Sequence, residues 1–349
     1  MKCSNECHVK IVGVSGYSGG ELIRLLLNHP QVKLTALTAF SLTEPTPLHT
    51  YFPRLRGECD LLVEKEVPGE AGDADVVFLC TPHGESMRIV PEYRDKQCTI
   101  IDLSADFRFV DPSEREGYYA APHPSAEACA DAVYGMPELF RDRVKGAKLI
   151  ANPGCYPTGI ILALYPAIRE EMIETEGIHI SAASGVTGAG KKPKAHLHHP
   201  ELDQNFYPYR IGNHQHTPEI LSVLRRATGT AVSATFVPHL LPLQRGILST
   251  IFCKRSKDIS LEAIWKQYNS IYQNEPFIRL YPLGEQPTLQ AVRESNYVDI
   301  SIHEDKKNGA LILVSAVDNL MKGAAGQAVQ NMNLIMGYPE GMGLLNQHR

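Results

Sequence analysis

The 349-residue sequence has no long apolar run and no excess of basic residues, and these two absences narrow the class of protein it can be. Nowhere do about 18 apolar residues follow one another, as a membrane-spanning helix requires. The formal net charge is -5, and no run of lysine or arginine forms a basic surface for a phosphodiester backbone. We therefore expect neither a membrane nor a nucleic acid as partner.

The cysteines also lack paired spacing. Eight are scattered along the chain without a C-x-x-C motif, which in a long chain is typical of free thiols in a reducing compartment. The segment "MKCSNECHVKIVGVSG" has no apolar stretch of the kind found in a signal peptide. We therefore expect a cytoplasmic protein.

The order of the apolar segments predicts an α/β protein with two domains. Short β-branched runs such as "HVKIVGV" and "ADVVFLC" alternate with helical patterns up to about residue 150, which is typical of a parallel, Rossmann-type sheet. Later strands alternate in polarity and are joined by hairpin turns, which predicts an α+β domain with a mixed or antiparallel sheet. The last helix, "NLMKGAAGQAVQNMNLIMG", could cap the second domain or return to the first.

A glycine-rich turn joins the first strand to the first helix. Glycines at this position let a backbone approach a pyrophosphate held at a helix N-terminus. The G-x-x-G-x-x-G spacing departs from the usual fingerprint, but its place at the first βα junction favours dinucleotide binding over a simple tight turn. The candidate cofactor-binding residues of the turn are Gly13, Ser15, Gly16, Tyr17, Ser18 and Gly19.

The end of the second strand bears on the choice of cofactor. An NAD-binding fold places an acidic residue there for the ribose hydroxyls. This chain has Ser41 and Thr43 in "TAFSLTEP" instead. A 2'-phosphate would not be repelled, so NADP is favoured, although no arginine stands close by in sequence to bind it.

Cys155, in "ANPGCYPTG", is the candidate nucleophile. It follows a strand and precedes an apolar helix, and a helix N-terminus lowers the pKa of a thiol and can stabilise an oxyanion. A buried structural cysteine is the commoner alternative. The bend formed by Asn152, Pro153 and Gly154 suits a presented side chain better than a core position.

The segment "GNHQHTPEI" offers an acid or base for such a thiol. His214, His216 and Glu219 stand just before or at the start of a helix. His-x-His-x-x-Glu also resembles a metal-ligand spacing, but no further cysteine partner is evident and we expect no metal. His216 is our choice for the acid, with Glu219 orienting a ring, and His214 is the alternative.

Further candidates could bind an anionic substrate or the cofactor. The loop "SGVTGAGKKP" is rich in glycine and lysine and suits a phosphate or carboxylate. Arg245 could bind a carboxylate in a fork, although a surface salt bridge is about as good an explanation. The candidate substrate-binding residues are Asn152, Arg108, Arg245 and Lys192, and Gly188 and Asn319 are further candidates for cofactor binding.

Five segments together resemble one enzyme family. "GVSGYSGGELIRLL", "NPGCYPTG", "SGVTGAGKKP", "GNHQHTPEI" and "NLMKGAAGQAVQNMN" are similar, in order and over nearly the whole chain, to the N-acetyl-gamma-glutamyl-phosphate reductases of the aspartate-semialdehyde dehydrogenase-like superfamily. The resemblance implies NADPH-dependent reduction of N-acetyl-L-glutamyl 5-phosphate to the 5-semialdehyde and phosphate in arginine biosynthesis. It implies that Cys155 forms a thioester and that a histidine of "HQHTPE" protonates the sulfur that leaves.

The same resemblance implies the domain division. Residues 1–150 with the C-terminal 319–349 would bind NADP, and 151–318 would form a catalytic and dimerisation domain, with Asn319 and Lys322 near the nicotinamide. We expect a small acyl-phosphate substrate and a homo-oligomer. A reductase of aspartyl or aminoadipyl phosphate, a non-catalytic cofactor-binding regulator and a zinc hydrolase using His214, His216 and Glu219 are the alternatives.

Overall fold

The computed structural model describes residues 6–93, 96–119, 122–256 and 258–345. The chain forms two compact units. Unit 1 consists of Met1–Pro112, Ala121–Pro153 and Ala324–Arg349, and unit 2 consists of Ser113–Ala120 and Gly154–Gly323. The C-terminal segment after Gly323 thus belongs to unit 1.

The strands and helices alternate in the first half of the chain. The strands are β1 (Cys7–Val12), β2 (Val32–Ala39), β3 (Thr46–Pro47), β4 (Leu62–Lys65), β5 (Val76–Leu79), β6 (Thr99–Asp102), β7 (Val133–Tyr134), β8 (Leu149–Ala151), β9 (Ile178–Ser184), β10 (Tyr207–Pro208), β11 (Ala234–Leu240), β12 (Ile247–Lys254), β13 (Ile278–Leu280), β14 (Val298–Asp305) and β15 (Ala310–Val317). The helices are α1 (Tyr17–Leu27), α2 (Ser86–Ile89), α3 (Ala126–Asp131), α4 (Pro137–Lys145), α5 (Cys155–Arg169), α6 (His199–Leu202), α7 (His216–Thr228), α8 (Leu261–Tyr272), α9 (Leu289–Val292) and α10 (Gly326–Met336).

Unit 1 is built on a largely parallel sheet. Among the described residues its strand order is β3-β4-β2-β1-β5-β6-β8-β7, and β3 is the antiparallel edge strand. The inner strands β5 and β6 are buried at every position because helices cover both faces of such a sheet. Helix α10 packs on α1, α4 and β6. The predicted Rossmann-type sheet is confirmed.

Unit 2 has a mixed sheet with the order β10-β11-β9-β12-β15-β14-β13 among the described residues. Strands β9 and β11 are parallel, whereas β12, β15 and β14 pair antiparallel, as the alternating strands predict. Residues on β12 alternate between buried and more exposed, so only one face of this strand is fully covered. The predicted second sheet is confirmed.

Helix α5 forms the centre of unit 2 and begins at Cys155. Its sequence is almost wholly apolar, and it packs on α7, α8, β12 and β15. Pro166 lies inside the helix and has no N–H to give the carbonyl of Leu162. The hydroxyl of Tyr272 donates to that carbonyl instead, at 2.6 Å. A tertiary contact therefore repairs the helix at the position where proline interrupts it.

None of the cysteines that the structure describes forms a disulfide, and Cys3 lies outside the described residues. Within the same ranges, no helix is long and apolar enough to cross a membrane.

Candidate active site

The glycine turn of unit 1 is shaped by two packed glycines and one open glycine. Gly13 has φ +84°, and a Cβ there would lie 2.6 Å from the carbonyl oxygen of Cys80. A Cβ at Gly19 would lie 2.8 Å from the carbonyl oxygen of Val14. Gly16, by contrast, has nothing within 4 Å of its ideal Cβ position. The strand and helix are therefore packed closely together while the space beside Gly16 stays open.

Helix α1 begins directly after this open position. Gly16 is its N-cap, no side chain caps the helix, and its first turn holds no acidic residue. Backbone amides at a helix start point outward without intrahelical acceptors and attract anions. The turn therefore fits a pyrophosphate, with Gly16 leaving the room and the first turn of α1 supplying the donors.

Ser41 and Thr43 lie exposed in the turn after β2, and their contact with a ribose stays a prediction. Sequence reasoning missed one acid near this strand end. Glu66 is buried, and its carboxylate accepts hydrogen bonds from Lys10, Tyr93 and Thr38. Since both carboxylate oxygens are engaged inside the unit, Glu66 does not supply the acid that an NAD site places at this strand end.

Cys155 is the first residue of α5 and is partly exposed. The preceding Gly154 is the N-cap, with extended backbone and no side-chain cap. Glu219, fully buried in α7, reaches this turn: its Oε1 accepts the Gly154 N–H at 2.8 Å. The carboxylate thus holds the backbone that carries the candidate nucleophile, although Glu219 follows Gly154 by 65 residues in sequence.

The two candidate histidines differ in their surroundings. His214 Nδ1 accepts the backbone N–H of His216 at 3.2 Å, so its neutral ring carries the proton on Nε2. Burial, together with the charge of Arg210, lowers the pKa of His214 to about 4. His214 is therefore uncharged near neutral pH. His216 is the first residue of α7, and its buried ring packs against that of His214 at 5.0 Å between centroids.

Aromatic rings place both histidines beside the start of α5. The ring of Tyr156, next to Cys155 in sequence, lies 5.5 Å from the His214 ring and 5.9 Å from the His216 ring. The hydroxyls of Tyr156 and Tyr209 are 3.0 Å apart. Burial, more than any other cause, raises the pKa of Tyr209 to about 12. Neither tyrosine was predicted, since the "GCYP" and "YPYRIG" segments carry no spacing signal that joins them.

Two predicted substrate residues of unit 1 hold the strand that leads to this turn. Arg108 is buried, and its Nε donates to the carbonyl of Asn152 at 2.9 Å. The Asn152 side chain donates to the carbonyl of Ala324 at 3.0 Å and accepts from Asn331 at 3.2 Å. Both residues therefore have structural partners within unit 1, and their contact with substrate stays a prediction.

The remaining predicted residues lie in the loops of unit 2. Asn319 is buried and joins two of these loops, because it accepts from the Gly246 N–H at 2.8 Å and donates to Thr187 Oγ1 at 2.9 Å. Gly188 follows Thr187 in an exposed turn, and Lys192 is exposed in the next loop. Arg245 forms an ion pair with fully buried Asp318 at 3.0 Å. The Arg245–Asp318 ion pair is therefore largely buried, whereas the sequence alternative was a salt bridge on the surface.

Glu219 and His214 each accept a backbone N–H, which bears on the metal alternative. Within the described ranges, no group of three or more histidine, cysteine, aspartate or glutamate side chains is arranged to hold a metal ion. Glu219 binds the Gly154 amide, and His214 Nδ1 binds a backbone N–H. This arrangement does not support the zinc hydrolase alternative.

Comparison with known proteins agrees with these features. Residues 8–147 match the model of the semialdehyde dehydrogenase NAD-binding domain, and residues 155–319 match that of the semialdehyde dehydrogenase dimerisation domain. Aspartate semialdehyde dehydrogenase II of Vibrio cholerae, complexed with ASA, shares the fold with a TM-score of 0.72 at 16% identity, over 95% of this chain and 98% of that chain. A Candida albicans aspartate semialdehyde dehydrogenase with NADP has a TM-score of 0.68 at 16% identity, covering 95% of this chain and 98% of that chain. The chain belongs to the semialdehyde dehydrogenase family.

More similar relatives narrow this class. The chain is 44% identical to N-acetyl-gamma-glutamyl-phosphate reductase of Pelobacter propionicus, over 97% of each chain. It is 42% identical to the Clostridium botulinum protein of the same name, over 96% of this chain and 97% of that one. Within the family, the chain therefore groups with the N-acetyl-gamma-glutamyl-phosphate reductases, and the predicted resemblance is confirmed.

Proposed function

We propose that the protein reduces N-acetyl-L-glutamyl 5-phosphate to N-acetyl-L-glutamate 5-semialdehyde with NADPH, releasing phosphate, as a step of arginine biosynthesis. The observation that carries the proposal is the placement of Cys155 at a helix start whose preceding amide is held by buried Glu219. Relatives of the same name at 42–44% identity support the choice of substrate over aspartyl or aminoadipyl phosphate.

In this reaction Cys155 forms and then loses one covalent bond. Its thiolate attacks the acyl carbon, the C–O bond to phosphate breaks, and a thioester forms. NADPH, when bound, supplies the hydride that reduces the thioester carbon. The C–S bond of the resulting hemithioacetal then breaks to release the aldehyde, and the sulfur is protonated.

His216 is proposed as the acid that gives this proton. Because His214 stays uncharged down to about pH 4, it suits the role of a fixed neighbour better than that of the group that exchanges protons. His214 binds the His216 backbone and packs against its ring, which restricts how the His216 side chain can turn.

Residues 1–150 with 319–349 are proposed to hold NADP, and residues 151–318 to carry the chemistry. Gly13, Ser15, Gly16, Tyr17, Ser18 and Gly19 would surround the pyrophosphate, with Gly188 and Asn319 as further cofactor contacts. The absence of an acid at Ser41 and Thr43, and the enclosure of Glu66 by Lys10, favour the 2'-phosphate. A ratio of kcat/KM for NADPH over NADH well above one would support this assignment, and a ratio below one would contradict it.

The substrate would be held by residues that offer positive charge or amide donors. Asn152, Arg108, Arg245 and Lys192 are the candidates proposed from sequence, and Lys192 is the exposed one in a glycine-rich loop. We propose Lys192 as an electrostatic contact to the phosphate and Arg245 as a contact to the substrate carboxylate.

A homo-oligomer is proposed through the uncovered face of the unit 2 sheet. Phe252 on β12 is 42% exposed, and Ile312 and Val314 on the adjacent strand are only partly buried. The matching model for residues 155–319 is described as a dimerisation domain. Phe252→Glu should lower the mass measured by light scattering to that of a monomer if this face is the interface.

We propose a cytoplasmic location, since none of the cysteines that the structure describes forms a disulfide. Fractionation of cells that produce the protein tests this location.

The decisive assay runs the reaction in reverse. Phosphate-dependent reduction of NADP+ should proceed with N-acetylglutamate semialdehyde and be at least tenfold slower, in kcat/KM, with aspartate semialdehyde. Equal or better turnover of aspartate semialdehyde would contradict the proposed substrate. No turnover of either aldehyde by folded protein that binds NADP would favour the regulatory alternative.

A further inference from the structure

A turn that follows much later in the sequence packs against the backbone of Cys155. Residues Met321–Ala325 form a single π-helical turn, in which the Gly323 N–H donates to the carbonyl of Asp318 at 3.0 Å. Such turns are rare and occur often at functional sites. In this protein the turn brings Gly323 against the first residue of α5.

The contact between Gly323 and Cys155 leaves too little room for a Cβ at position 323 unless the neighbouring atoms move. An ideal Cβ there would lie 3.0 Å from Cys155 Cβ, 3.2 Å from Cys155 Cα and 3.1 Å from the carbonyl oxygen of Asp318. Such distances require the neighbours to move by a few tenths of an ångström. None of the three atoms is the far end of a flexible side chain, so the movement falls on the backbone of the nucleophile or on the turn.

Both sides of this contact are anchored. The buried Asp318 carboxylate accepts from the N–H groups of Leu320, Met321 and Glu294 and pairs with Arg245. The backbone before Cys155 is held in turn by Glu219, through the Gly154 N–H. A substituent at position 323 would therefore press between two fixed parts of unit 2.

We propose that Gly323 is a positioning residue for Cys155, whose missing side chain lets the π-helical turn lie against the Cα and Cβ atoms of the nucleophile and set the direction of its sulfur. The catalytic part of this inference rests on the proposed function. The effect of the contact on the position and reactivity of the Cys155 thiol does not depend on that function. A nucleophile displaced by a fraction of an ångström from its attack geometry loses rate rather than substrate affinity.

The test is Gly323→Ala, with Gly146→Ala as the matched control. Gly146 has φ -100° and nothing within 4 Å of its ideal Cβ, so an added methyl group meets open space. Gly323→Ala should lower kcat by roughly tenfold, with KM for the acyl phosphate changed less than about twofold. It should also change the rate constant at which iodoacetamide alkylates Cys155, measured by peptide mapping against pH, by about fivefold.

A merely structural role would move the melting temperature and leave the alkylation profile of Cys155 unchanged. The proposal is overturned if Gly323→Ala matches Gly146→Ala in both kcat and alkylation, or if only stability changes. Because alkylation needs no substrate, it reports on the contact even if the proposed reductase activity is absent from the wild type as well.

A second variant covers the case in which Gly323→Ala does not fold. Cys155→Gly removes the Cβ atom that the new methyl group would meet at 3.0 Å. Recovery of soluble, cooperatively unfolding protein in Gly323→Ala/Cys155→Gly would support direct contact. The substitution leaves Cys155 Cα at 3.2 Å and the Asp318 carbonyl oxygen at 3.1 Å, so we expect partial recovery. A double variant that yields no more soluble protein than Gly323→Ala, while Cys155→Gly alone folds, would overturn the contact with the nucleophile's side chain.

Discussion

The turn between β1 and α1 and the turn between β8 and α5 both contain glycine and lead directly into a helix, but the space around them differs. The turn before α1 leaves open space at Gly16. The turn before α5 is enclosed: Glu219 binds the Gly154 amide, and Gly323 lies against Cys155. An open helix start suits a ligand that binds and leaves, whereas an enclosed one suits a side chain that must keep its position.

The largest expected effect comes from removing the thiol that the enclosed turn presents. Cys155→Ser should reduce turnover by roughly a thousandfold or more, because a hydroxyl at neutral pH is a far weaker nucleophile than a thiolate. NADP+ reduction with N-acetylglutamate semialdehyde measures it. Cys59→Ser changes a partly exposed thiol in the other unit and should retain activity. Wild-type turnover by Cys155→Ser would remove the functional contrast between the two turns.

Substitution of each histidine by glutamine should distinguish the roles of His214 and His216, whose rings lie beside the enclosed turn. His216→Gln should lower kcat by about a hundredfold, within the range for loss of a general acid. His214→Gln should cost less than about tenfold, because a ring with its pKa lowered to about 4 holds no exchangeable charge near neutrality. The pH dependence of kcat for both variants is the measurement. A larger loss for His214→Gln would exchange their roles.

Loss of the hydrogen bond between Glu219 and Gly154 should have an intermediate effect on the free energy of unfolding and on kcat. Glu219→Ala leaves a buried N–H without its acceptor, which costs about 1–3 kcal/mol, and kcat should fall roughly tenfold as the nucleophile shifts. Glu219→Gln keeps an oxygen that can accept the bond and should recover most of both. Urea unfolding and steady-state kinetics measure the pair. Equal behaviour of the two variants would mean that the negative charge of Glu219, rather than its hydrogen bond, is what matters.

The smallest expected effect is at the open turn. Gly16→Ala fits the observed backbone, with φ -81°, and meets nothing within 4 Å, so the free energy of unfolding should fall by no more than about 1 kcal/mol, the preference of an N-cap for glycine over alanine. KM for NADPH should nevertheless rise about threefold to tenfold, since the methyl group occupies space needed by the cofactor. Fluorescence titration with NADPH checks the affinity directly. An unchanged affinity would place the pyrophosphate elsewhere.

Much of the fold could be predicted because its signals are local. Strand and helix periods, the glycine turn and the hairpin at Gly309 each occupy a few neighbouring residues. The cysteine at a helix start was equally visible, since "NPGCYPTG" carries the turn and the helix beginning in one segment. The contacts that distinguish the two histidines were not visible, because burial and ring packing depend on elements such as β11 that follow later in sequence.

The sequence by itself therefore determined the βα alternation, the two domains' sheet types, the position of the glycine turn and the candidate nucleophile. Tertiary structure decided that Glu219 binds Gly154, that Tyr209 pairs with Tyr156 and that Gly323 lies against Cys155. The physical reason is range. Backbone conformation follows from neighbouring residues, whereas the position of a reactive side chain is set by groups that only folding brings together.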